Sequence, residues 1–294
     1  MIPLSIIIVS FNTKEITKKC LLSLHKNFIR YPIEHEIIVV DNDSRDGSVK
    51  YFLDLEKEWK NLHVILNKKN LGFGKGNNIG LAKSKGRYVL YLNSDAIVTD
   101  IDFRDLINLM EMKKDIGALT VKVMLSSGEI DPASHRGFPT IWRSLTYFLG
   151  LEKIFFNIPL LNKLFGGYHL VNLNLNNIHE IDVLTGAFLF TRREILDKFG
   201  GFDEDYFAYG EDIEMAFQIK ELGYKIIYYP LWKVLHLKSV SGLKKNDLNI
   251  RRKTNYYFYD SMKIFYDKHY AMDHSWLTNK LVYLAIDVKK KLNK

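Results

Sequence analysis

The first hundred residues alternate between short, continuously apolar runs and segments whose apolar residues recur at helical spacing. Short apolar runs with several β-branched side chains are typical of buried parallel strands. The alternation predicts an α/β protein with an open, mostly parallel twisted sheet and helices on both faces. The strands are predicted over residues 4–9, 36–40, 62–66 and 87–92, and the helices around Ile16, Cys20, Leu21 and Leu24, over 48–59 and over 77–85.

The second half follows this alternation less regularly. Residues 141–170 form an insertion that is rich in Phe, Leu and Tyr and has few charges. This composition favours a pair of packed helices over contact with a membrane or a lipid-linked acceptor. From Phe258 onward the apolar residues again keep helical spacing, which predicts an amphipathic helical extension at the C-terminus. The other elements are strands predicted over 117–124, 182–191 and 225–229, the last ending at Pro230, and helices predicted over 193–199 and 212–222.

Length and composition indicate an ordinary globular protein. The chain has 294 residues, of which 47% are hydrophobic and 26% charged, enough for one large α/β domain with extensions or for two small domains. The single cysteine, Cys20, cannot form an intrachain disulfide and fits a reducing cytosol. The N-terminus lacks the basic flank of a signal peptide, and no apolar stretch approaches the roughly 18 residues that span a bilayer. We therefore expect a protein that is neither exported nor transmembrane.

The net charge of +8 is concentrated at the C-terminal end. Residues 244–294 contain twelve Lys and Arg against five Asp, a net charge of +7, so residues 1–243 carry only +1. A basic, aromatic-rich tail on a neutral body suits an anionic membrane or a phosphorylated ligand better than a nucleic-acid groove. Arg251, Arg252 and the final Lys cluster are expected to reach such a membrane. The simpler alternative is a helix packed on the main domain with its lysines in water.

Polar residues directly follow four of the predicted strands. In open α/β sheets, ligands bind beyond the carboxyl ends of the strands. We therefore expect residues 10–12, 41–43, 67–76 and 93–95 to form one ligand-binding rim. Asp41 on this rim can accept hydrogen bonds from a ribose hydroxyl or a base N–H. A plain turn is an equally good interpretation of Asp41, because Asp, Asn and Gly favour turns.

Residues 70–78 read Asn-Leu-Gly-Phe-Gly-Lys-Gly-Asn-Asn and lie between the third strand and a helix. Three alternating glycines allow a phosphate to approach the backbone closely, Lys75 supplies a positive charge, and the helix start supplies free N–H groups. The spacing is not G-x-G-x-x-G and the segment does not follow the first strand. A nicotinamide-binding fingerprint is therefore disfavoured.

Asn93 and Asp95 are spaced so that their oxygens can face one hard cation, which would take the rest of its shell from water and diphosphate oxygens. An isolated N-x-D is more often a turn, but its place on the predicted rim favours the ligand interpretation. His236 follows the last predicted strand. An imidazole there can be a third ligand for Mn²⁺ or Mg²⁺, although a lone histidine is usually structural.

Glu211 and Asp212 stand at a predicted helix start. The helix dipole favours acidic residues there, so a structural cap is one interpretation. A general base is the other, because crowding of carboxylates raises the pKa of one of them toward that of a useful base. The crowded carboxylates, all within twelve residues, are Asp203, Glu204, Asp205, Glu211, Asp212 and Glu214.

Taken in order, these motifs resemble those of the family 2 glycosyltransferases of the GT-A fold, which use nucleotide-diphospho-sugars, and in particular the bacterial rhamnosyltransferase-like branch. The resemblance runs from residue 4 to about 242. It implies a catalytic domain over residues 1–243, with a nucleotide-sugar-binding half over 1–100 and an acceptor and catalytic half over 101–243. A basic amphipathic helical tail over 244–294 would follow. The resemblance is carried by segments 5–12, 40–42, 70–73, 92–95, 185–187, 200–204 and 211–212 and by His236.

The resemblance implies an inverting, metal-dependent transfer of a sugar onto a hydroxyl in cell-surface polysaccharide synthesis. Asp212 would be the general base and Glu211 would support it. Asp95 and His236 would hold Mg²⁺ or Mn²⁺. The acceptor would be a glycan or a polyprenyl-diphosphate-linked saccharide, so the enzyme would be cytoplasmic or peripheral on the inner face of the cell membrane.

The resemblance also assigns the residues that contact the substrates. The donor would be dTDP-rhamnose or a UDP-hexose. Thr185, Gly186 and Ala187 would border the acceptor. The donor contacts would be Ser10, Asn12, Asp41, Asn42, Asn70, Gly72, Phe73, Lys75, Asn78, Asn93, Ser94 and Asp95.

Three residues depart from the family pattern, on both the donor and the acceptor side. Asn93 replaces the first Asp of a D-x-D motif. Gln218 stands where relatives carry Arg, and Glu214 replaces an Asp.

Two other functions remain open on the same sequence. A sugar-phosphate nucleotidyltransferase is disfavoured because no glycine- and basic-rich segment directly follows the first strand. A non-catalytic nucleotide-sugar-binding or membrane-associated protein of the same fold is disfavoured because Asp95, Asp212 and His236 occur together.

Overall fold

One sheet of nine strands forms the centre of the protein. The structure, a computed structural model, describes residues 2–238 and 248–292. The boundary expected at residue 243 lies outside these residues. The strands are β1 (Leu4–Ser10), β2 (His35–Asp41), β3 (Leu62–Leu66), β4 (Tyr88–Leu92), β5 (Ala96–Val98), β6 (Ile116–Leu125), β7 (His179–Ile181), β8 (Phe188–Arg192) and β9 (Lys225–His236). The helices are α1 (Lys14–Arg30), α2 (Ser48–Glu58), α3 (Phe73–Lys83), α4 (Phe103–Met112), α5 (Ile141–Phe148), α6 (Leu151–Ile154), α7 (Pro159–Phe165), α8 (Arg193–Phe199), α9 (Glu211–Glu221), α10 (Leu248–His269) and α11 (Trp276–Leu292).

The sheet has the order β3-β2-β1-β4-β8-β6-β9-β5, and β7 pairs with β9. The pairs β1–β2, β2–β3, β1–β4 and β6–β9 are parallel. Strand β8 is antiparallel to both β4 and β6, so β6 and β9 run in the same direction as β1 to β4. Strands β5 and β7 run against β9. The expected mostly parallel sheet is thereby confirmed, and the carboxyl ends of six strands meet at one edge.

Buried apolar side chains cover both faces of the sheet. Ile6 and Ile8 of β1 belong to one core cluster, and Ile7 between them belongs to the cluster on the opposite face. Successive strand residues point to opposite faces. A strand buried on both sides therefore needs apolar residues at every position, which explains the continuous apolar run at residues 4–9.

The glycine-rich segment is mostly helical, so the expected loop over residues 70–78 is wrong in conformation. Helix α3 begins at Phe73, directly after Gly72, whose φ of 87° lies in the left-handed region. A Cβ at Gly76 would lie 3.0 Å from Val9, and one at Gly80 would lie 2.5 Å from Ile7. These two glycines let α3 approach β1 closely.

Two strand predictions are also wrong in extent. The strand expected over residues 182–191 is shorter and begins only at Phe188, because residues 182–187 cross between β7 and β8 without pairing as a strand. The strand expected to end at Pro230 continues to His236. Its register with β6 shifts between Val121 and Lys122, whose partners are Tyr229 and Lys233, so Pro230 lies in a bulge where no ladder N–H is needed. His236 is therefore the last residue of a strand.

The tail begins as the expected helix and then turns back. Helices α10 and α11 pack on each other, and α10 also packs on α9, where the Phe217 ring lies 3.9 Å from the His269 ring. The insertion forms three short helices, α5 to α7, instead of the expected two. In residues 2–238 and 248–292, no helix has both the length and the apolar content to cross a membrane.

Glu214, one of the departures from the family pattern, joins the tail to the main domain. Its buried carboxylate accepts hydrogen bonds from Tyr206 Oη (3.0 Å) and Gln218 Nε2 (3.0 Å), and lies 2.7 Å from His269 Nε2. Burial alone would raise the pKa of Glu214, but the bonds from His269 and Gln218 outweigh burial and lower that pKa. The Glu at this position thus holds α10 against α9.

We expect Glu214→Ala to reduce the free energy of unfolding by about 1–3 kcal/mol at neutral pH, because it leaves buried donors unpaired. A group whose pKa is lowered by folding stabilises the protein above its unfolded pKa and loses that effect as the pH falls through its folded pKa. The difference between variant and wild type should therefore shrink in acid. Urea denaturation at neutral and acid pH measures it, with the exposed Glu221→Ala as control. A difference that is the same at both pH values would contradict this role.

Candidate active site

Asp41, at the end of β2, forms a turn and also has a carboxylate oxygen available to a ligand, so both interpretations made from the sequence apply to it. Its Oδ1 accepts the Ser44 N–H at 2.8 Å, which is the turn. Its Oδ2 is buried and has no hydrogen-bond partner among the described residues. Buried polar atoms are nearly always paired, so this oxygen is suited to a ligand hydroxyl or N–H.

The loops after β1 and β2 are bound to each other. Asn12 adopts a left-handed φ of 53°, donates its N–H to Ser44 Oγ (2.8 Å) and accepts the Arg45 N–H on Oδ1 (2.7 Å). The Ser10 hydroxyl is buried and lies 3.0 Å from the hydroxyl of Thr13. Both residues thus lie beside Asp41, as predicted, and hold the loops around it.

Asn42 and Asn70 fix the turn before α3. Asn42 Nδ2 donates to the Gly72 carbonyl at 2.9 Å, and Asn70 Oδ1 accepts the Gly72 N–H at 2.9 Å. A Cβ on Gly72 would lie 2.4 Å from the Phe207 carbonyl oxygen, so only glycine fits there. The turn is held against the segment that leads to α9.

The first turns of α3 contact residues 202–204. Asn78 Nδ2 donates to the Phe202 carbonyl (2.7 Å), and Asn78 Oδ1 accepts the Phe202 N–H (2.8 Å). Lys75 Nζ lies 2.6 Å from Glu204 Oε2, and the Phe73 ring packs edge-on against Phe202. These predicted donor contacts are engaged with protein groups, so their direct contact with a donor stays a prediction.

Asp95 and His236 are brought together by the pairing of β5 with β9, in which Ala96 faces His236. Asp95 Oδ1 lies 3.2 Å from His236 Nε2, and Asp95 Oδ2 is buried with no hydrogen-bond partner in the described part of the chain. Asn93 Nδ2 is 3.5 Å from the same imidazole nitrogen, and Ser94 lies in the turn between β4 and β5. The two predicted metal ligands are therefore neighbours.

Asp131, which sequence reasoning missed, lies behind His236. Its buried carboxylate is 3.0 Å from His236 Nδ1 and 2.8 Å from Lys238 Nζ. Burial opposes the charged form, but bonds from His236 and Lys238 hold the pKa of Asp131 below its usual value. Burial likewise opposes a charged imidazole, yet Asp131 and Asp95 raise the pKa of His236 to about 9.

These residues fit a divalent-cation site in which the protein supplies only part of the coordination shell. A metal-binding histidine usually has its other ring nitrogen held by a carboxylate, as Asp131 holds His236 Nδ1. A cation would displace the proton from Nε2 and meet the free Asp95 oxygen. Among residues 2–238 and 248–292, no group of three or more His, Cys, Asp or Glu stands ready as a complete metal cage. Water or donor oxygens would have to complete the shell.

Asp212, at the start of α9, is paired with Arg136, a second residue that was missed. Arg136 Nη2 lies 2.5 Å from Asp212 Oδ2, and both side chains are almost buried. The guanidinium also donates to the carbonyls of Leu184 (2.9 Å) and Ala133 (3.0 Å). Asp212 Oδ1 accepts the Ile213 N–H at 2.9 Å, and a carboxylate oxygen can accept a second hydrogen bond.

Glu211 is buried beside Asp212, and its Oε2 has no partner in the part of the chain that the structure describes. Burial first, and then the charge of Asp212, raise the pKa of Glu211 well above its usual value. The expected crowding is therefore confirmed only for Asp212 and comes second to burial, because three of the other acidic residues are paired with lysines. Lys268 pairs with Asp203 and Asp205, and Lys75 pairs with Glu204.

Residues 184–187 connect the region of Asp95 and His236 to that of Asp212. Thr185 Oγ1 accepts the Ala187 N–H at 3.2 Å, and the Ala187 carbonyl accepts the Asn93 N–H at 3.3 Å. Gly186 faces the Phe73 ring, which would lie 3.4 Å from an added Cβ. Since Leu184 also accepts a bond from Arg136, this segment touches both halves of the site.

The sequence matches the model of Glycosyl transferase family 2 over residues 5–166 and that of Glycosyl transferase family group 2 over residues 88–283. The chain belongs to glycosyltransferase family 2. It is a glycosyltransferase, and the resemblance to the rhamnosyltransferase-like branch is confirmed by two relatives. It is 26% identical to rhamnosyltransferase WbbL of Escherichia coli, covering 79% of this chain and 82% of that protein. It is 24% identical to N-acetylglucosaminyl-diphospho-decaprenol L-rhamnosyltransferase of Mycobacterium tuberculosis, covering 70% and 67%.

The fold is shared with solved glycosyltransferases. The mannosyltransferase PcManGT of Pyrobaculum calidifontis, solved with GDP-Man and Mn²⁺, superposes with a TM-score of 0.58 at 15% identity. The similarity covers 93% of this chain but only 65% of that one, so this chain spans less than two thirds of its structural relative. The expected GT-A fold is thereby confirmed.

Arg136 is expected to position Asp212, and its removal should affect both stability and turnover. Arg136→Met leaves a nearly buried carboxylate unpaired, which should cost about 3–5 kcal/mol of unfolding free energy. Arg136→Lys keeps the charge but loses the fork geometry, so its effect should be intermediate. The double variant Arg136→Met with Asp212→Asn should lose less than the sum of the two changes, because both act on one pair. Urea denaturation of wild type, Arg136→Met, Asp212→Asn and the double variant measures this coupling. Strictly additive losses of unfolding free energy would show that the two residues do not act as a pair.

Proposed function

We propose that this glycosyltransferase moves a sugar from a nucleoside-diphosphate donor to an acceptor hydroxyl with inversion at the anomeric carbon. The observation that supports this most is a set of three buried carboxylate oxygens that have no partner in the described chain. They are Asp41 Oδ2, Asp95 Oδ2 and Glu211 Oε2. They lie at the ends of β2 and β4 and at the start of α9, where a nucleotide, a cation and a reacting sugar would be held.

On the donor side, Asp41 would accept hydrogen bonds from the ribose or the base. Asp95 and His236 would hold Mg²⁺ or Mn²⁺, with Asp131 orienting the imidazole. The cation, when bound, supplies positive charge that stabilises the departing diphosphate. The names of the two relatives favour dTDP-rhamnose over a UDP-hexose as the donor type. The remaining donor contacts would be Ser10, Asn12, Asn42, Asn70, Gly72, Phe73, Lys75, Asn78, Asn93 and Ser94.

On the acceptor side, Asp212 would take the proton. The acceptor oxygen attacks the anomeric carbon on the face opposite the diphosphate, its proton moves to Asp212 Oδ1, and the sugar–phosphate bond breaks with its electron pair leaving on the nucleoside diphosphate. Arg136 would hold Oδ2 so that Oδ1 faces the hydroxyl. Glu211, with its raised pKa, would keep its proton at neutral pH and leave one negative charge in the pair. Thr185, Gly186 and Ala187 would border the acceptor.

The acceptor we propose is a glycan or a polyprenyl-diphosphate-linked saccharide of a cell-surface polysaccharide. The name of the Mycobacterium relative includes a diphospho-decaprenol, which is a lipid-linked acceptor of this type. Such a saccharide is held at a membrane. The enzyme would therefore work in the cytoplasm, at the inner face of the cell membrane.

A screen of nucleoside-diphosphate sugars with and without Mn²⁺ tests this function. A ligand that binds only the native state raises the melting temperature, and the rise grows with the ratio of ligand concentration to Kd. We expect one donor to stabilise the protein much more with Mn²⁺ than with EDTA, and to release its nucleoside diphosphate slowly in water. Stabilisation without any release would favour a non-catalytic binder. Release of inorganic diphosphate from a nucleoside triphosphate and a sugar phosphate would favour a nucleotidyltransferase.

A further inference from the structure

Helix α11 has one apolar face that none of the described residues covers. Leu277, Leu281, Leu284 and Val288 recur at steps of four, three and four residues and form one stripe, which we call the outer face. Their exposed fractions are 60%, 58%, 58% and 47%. The opposite side of the helix carries the buried Ile286 and packs on α10. Four large apolar side chains in one exposed stripe indicate a binding surface.

Positive charge borders the outer face. By helical spacing, Lys280 and Lys291 lie along one edge of the stripe. Lys280 also stands 4.7 Å from the ring of Trp276, which is 72% exposed. The one acidic residue of α11, Asp287, is paired with Lys263. The surroundings of the outer face are thus basic, as the charge of +7 over residues 244–294 predicts.

A second exposed apolar stripe lies on α5, next to α11. Trp142 and Leu145 of α5 and Leu149, directly after its last residue, are spaced three and four residues apart and are 48%, 46% and 60% exposed. Lys289 of α11 donates to the carbonyl of Phe148 at 3.1 Å, which joins the end of α5 to the last turns of α11. The insertion therefore places a further exposed apolar stripe near the tail.

We propose that the outer face of α11, together with α5, docks on the surface of an anionic lipid bilayer. An amphipathic helix lying in the interface buries its apolar residues among the acyl chains while its lysines meet the phosphate groups of anionic lipids. A second copy of the chain fits this face less well. A symmetric contact would bring the lysines of the two copies together, and like charges in contact oppose association.

The docking surface adjoins the base side of the site. Helix α5 begins five residues after Arg136, the partner of Asp212, and Arg143 in its first turn pairs with Asp182 at 2.7 Å. A saccharide carried by a membrane lipid would thus reach Asp212 from the docked surface. This last step rests on the proposed function, whereas membrane binding itself does not.

Cosedimentation with vesicles tests the proposal. The probe is phosphatidylcholine vesicles with and without phosphatidylglycerol, and the test variant is Leu281→Glu with Leu284→Glu. The matched control is Ile29→Glu with Met112→Glu, which makes the same charge change at two exposed apolar residues on α1 and α4. We expect wild type and control to bind the anionic vesicles, and the test variant to bind about tenfold or more weakly.

Three outcomes would overturn the proposal. The first is equal binding of test variant and wild type, and the second is equal binding of wild type to neutral and anionic vesicles. The third is a wild-type dimer that dissociates in the test variant without any vesicle binding, which would assign the face to a second copy. Donor hydrolysis in solution is measured in parallel. Intact vesicle binding with no hydrolysis of any donor would contradict the proposed function and leave the docking surface standing.

Discussion

Asp212→Asn should reduce sugar transfer by about 10²–10⁴-fold, which is the usual contribution of general base catalysis. The reason is chemical: an amide cannot take the acceptor proton, so the attacking hydroxyl must lose it to water. The amide is nearly the same size as the carboxylate and can still accept a hydrogen bond from Arg136, so the variant should fold, with lower stability because the charge of Arg136 loses its partner. Donor binding should be nearly unchanged, because Asp212 is placed on the acceptor side.

The measurement is steady-state transfer together with donor binding by calorimetry. Glu221→Gln, at the exposed end of the same helix, is the control and should behave like wild type. Near-normal transfer by Asp212→Asn would remove Asp212 from the mechanism. The same measurement on Glu211→Gln is informative, because a protonated Glu211 already resembles an amide. We therefore expect Glu211→Gln to lose much less activity than Asp212→Asn.

Asp95→Asn should lower turnover by about 100-fold or more and weaken the binding of donor with Mn²⁺, since the carboxylate that lies beside His236 would lose its charge. Asp131→Asn leaves both proposed ligands in place and changes only the residue that holds the imidazole of His236. Removal of such an outer-shell partner typically costs about 10–100-fold in metal affinity. We therefore expect Asp131→Asn to weaken Mn²⁺ binding less than Asp95→Asn does.

Thermal shift with a titration of Mn²⁺ at fixed donor measures this difference. Asp115→Asn is the control, because Asp115 is an exposed acidic residue paired with Lys225 away from the site. The donor should stabilise Asp95→Asn equally with Mn²⁺ and with EDTA. If Asp95→Asn kept the full Mn²⁺-dependent shift, the cation would lie elsewhere.

The fold and the position of the residues at the strand ends were largely predictable from the sequence because they depend on local patterns. A strand buried on both faces must be apolar throughout, so residues 4–9 and 36–40 were unambiguous. The strand-end rule then placed Asp41 and Asp95 on one edge. The conformation of the glycine-rich segment was predicted wrongly because glycine permits close packing of a helix as readily as a loop, and the close approach of Gly76 to Val9 became visible only in the structure.

The second half was harder because its important pairs are distant in sequence. Arg136 and Asp212 are separated by 76 residues, and His236 and Asp131 by 105. No periodicity reveals such pairs. One signal was nevertheless available: residues 117–124 were predicted as a strand, and the strand-end rule applied there would have drawn attention to the segment that contains Asp131 and Arg136. The bulge at Pro230 hid the end of β9 for a similar reason, since proline normally ends a strand.

The most direct test of the account is the configuration of the anomeric carbon in the product compared with the donor, read by NMR from the one-bond carbon–proton coupling. A hydroxyl activated by Asp212 and attacking in a single displacement must invert that carbon, so we predict a product of opposite configuration and an enzyme that stays unmodified during turnover. Retained configuration, or a sugar found covalently attached to Asp212 or Glu211 by mass spectrometry, would contradict it.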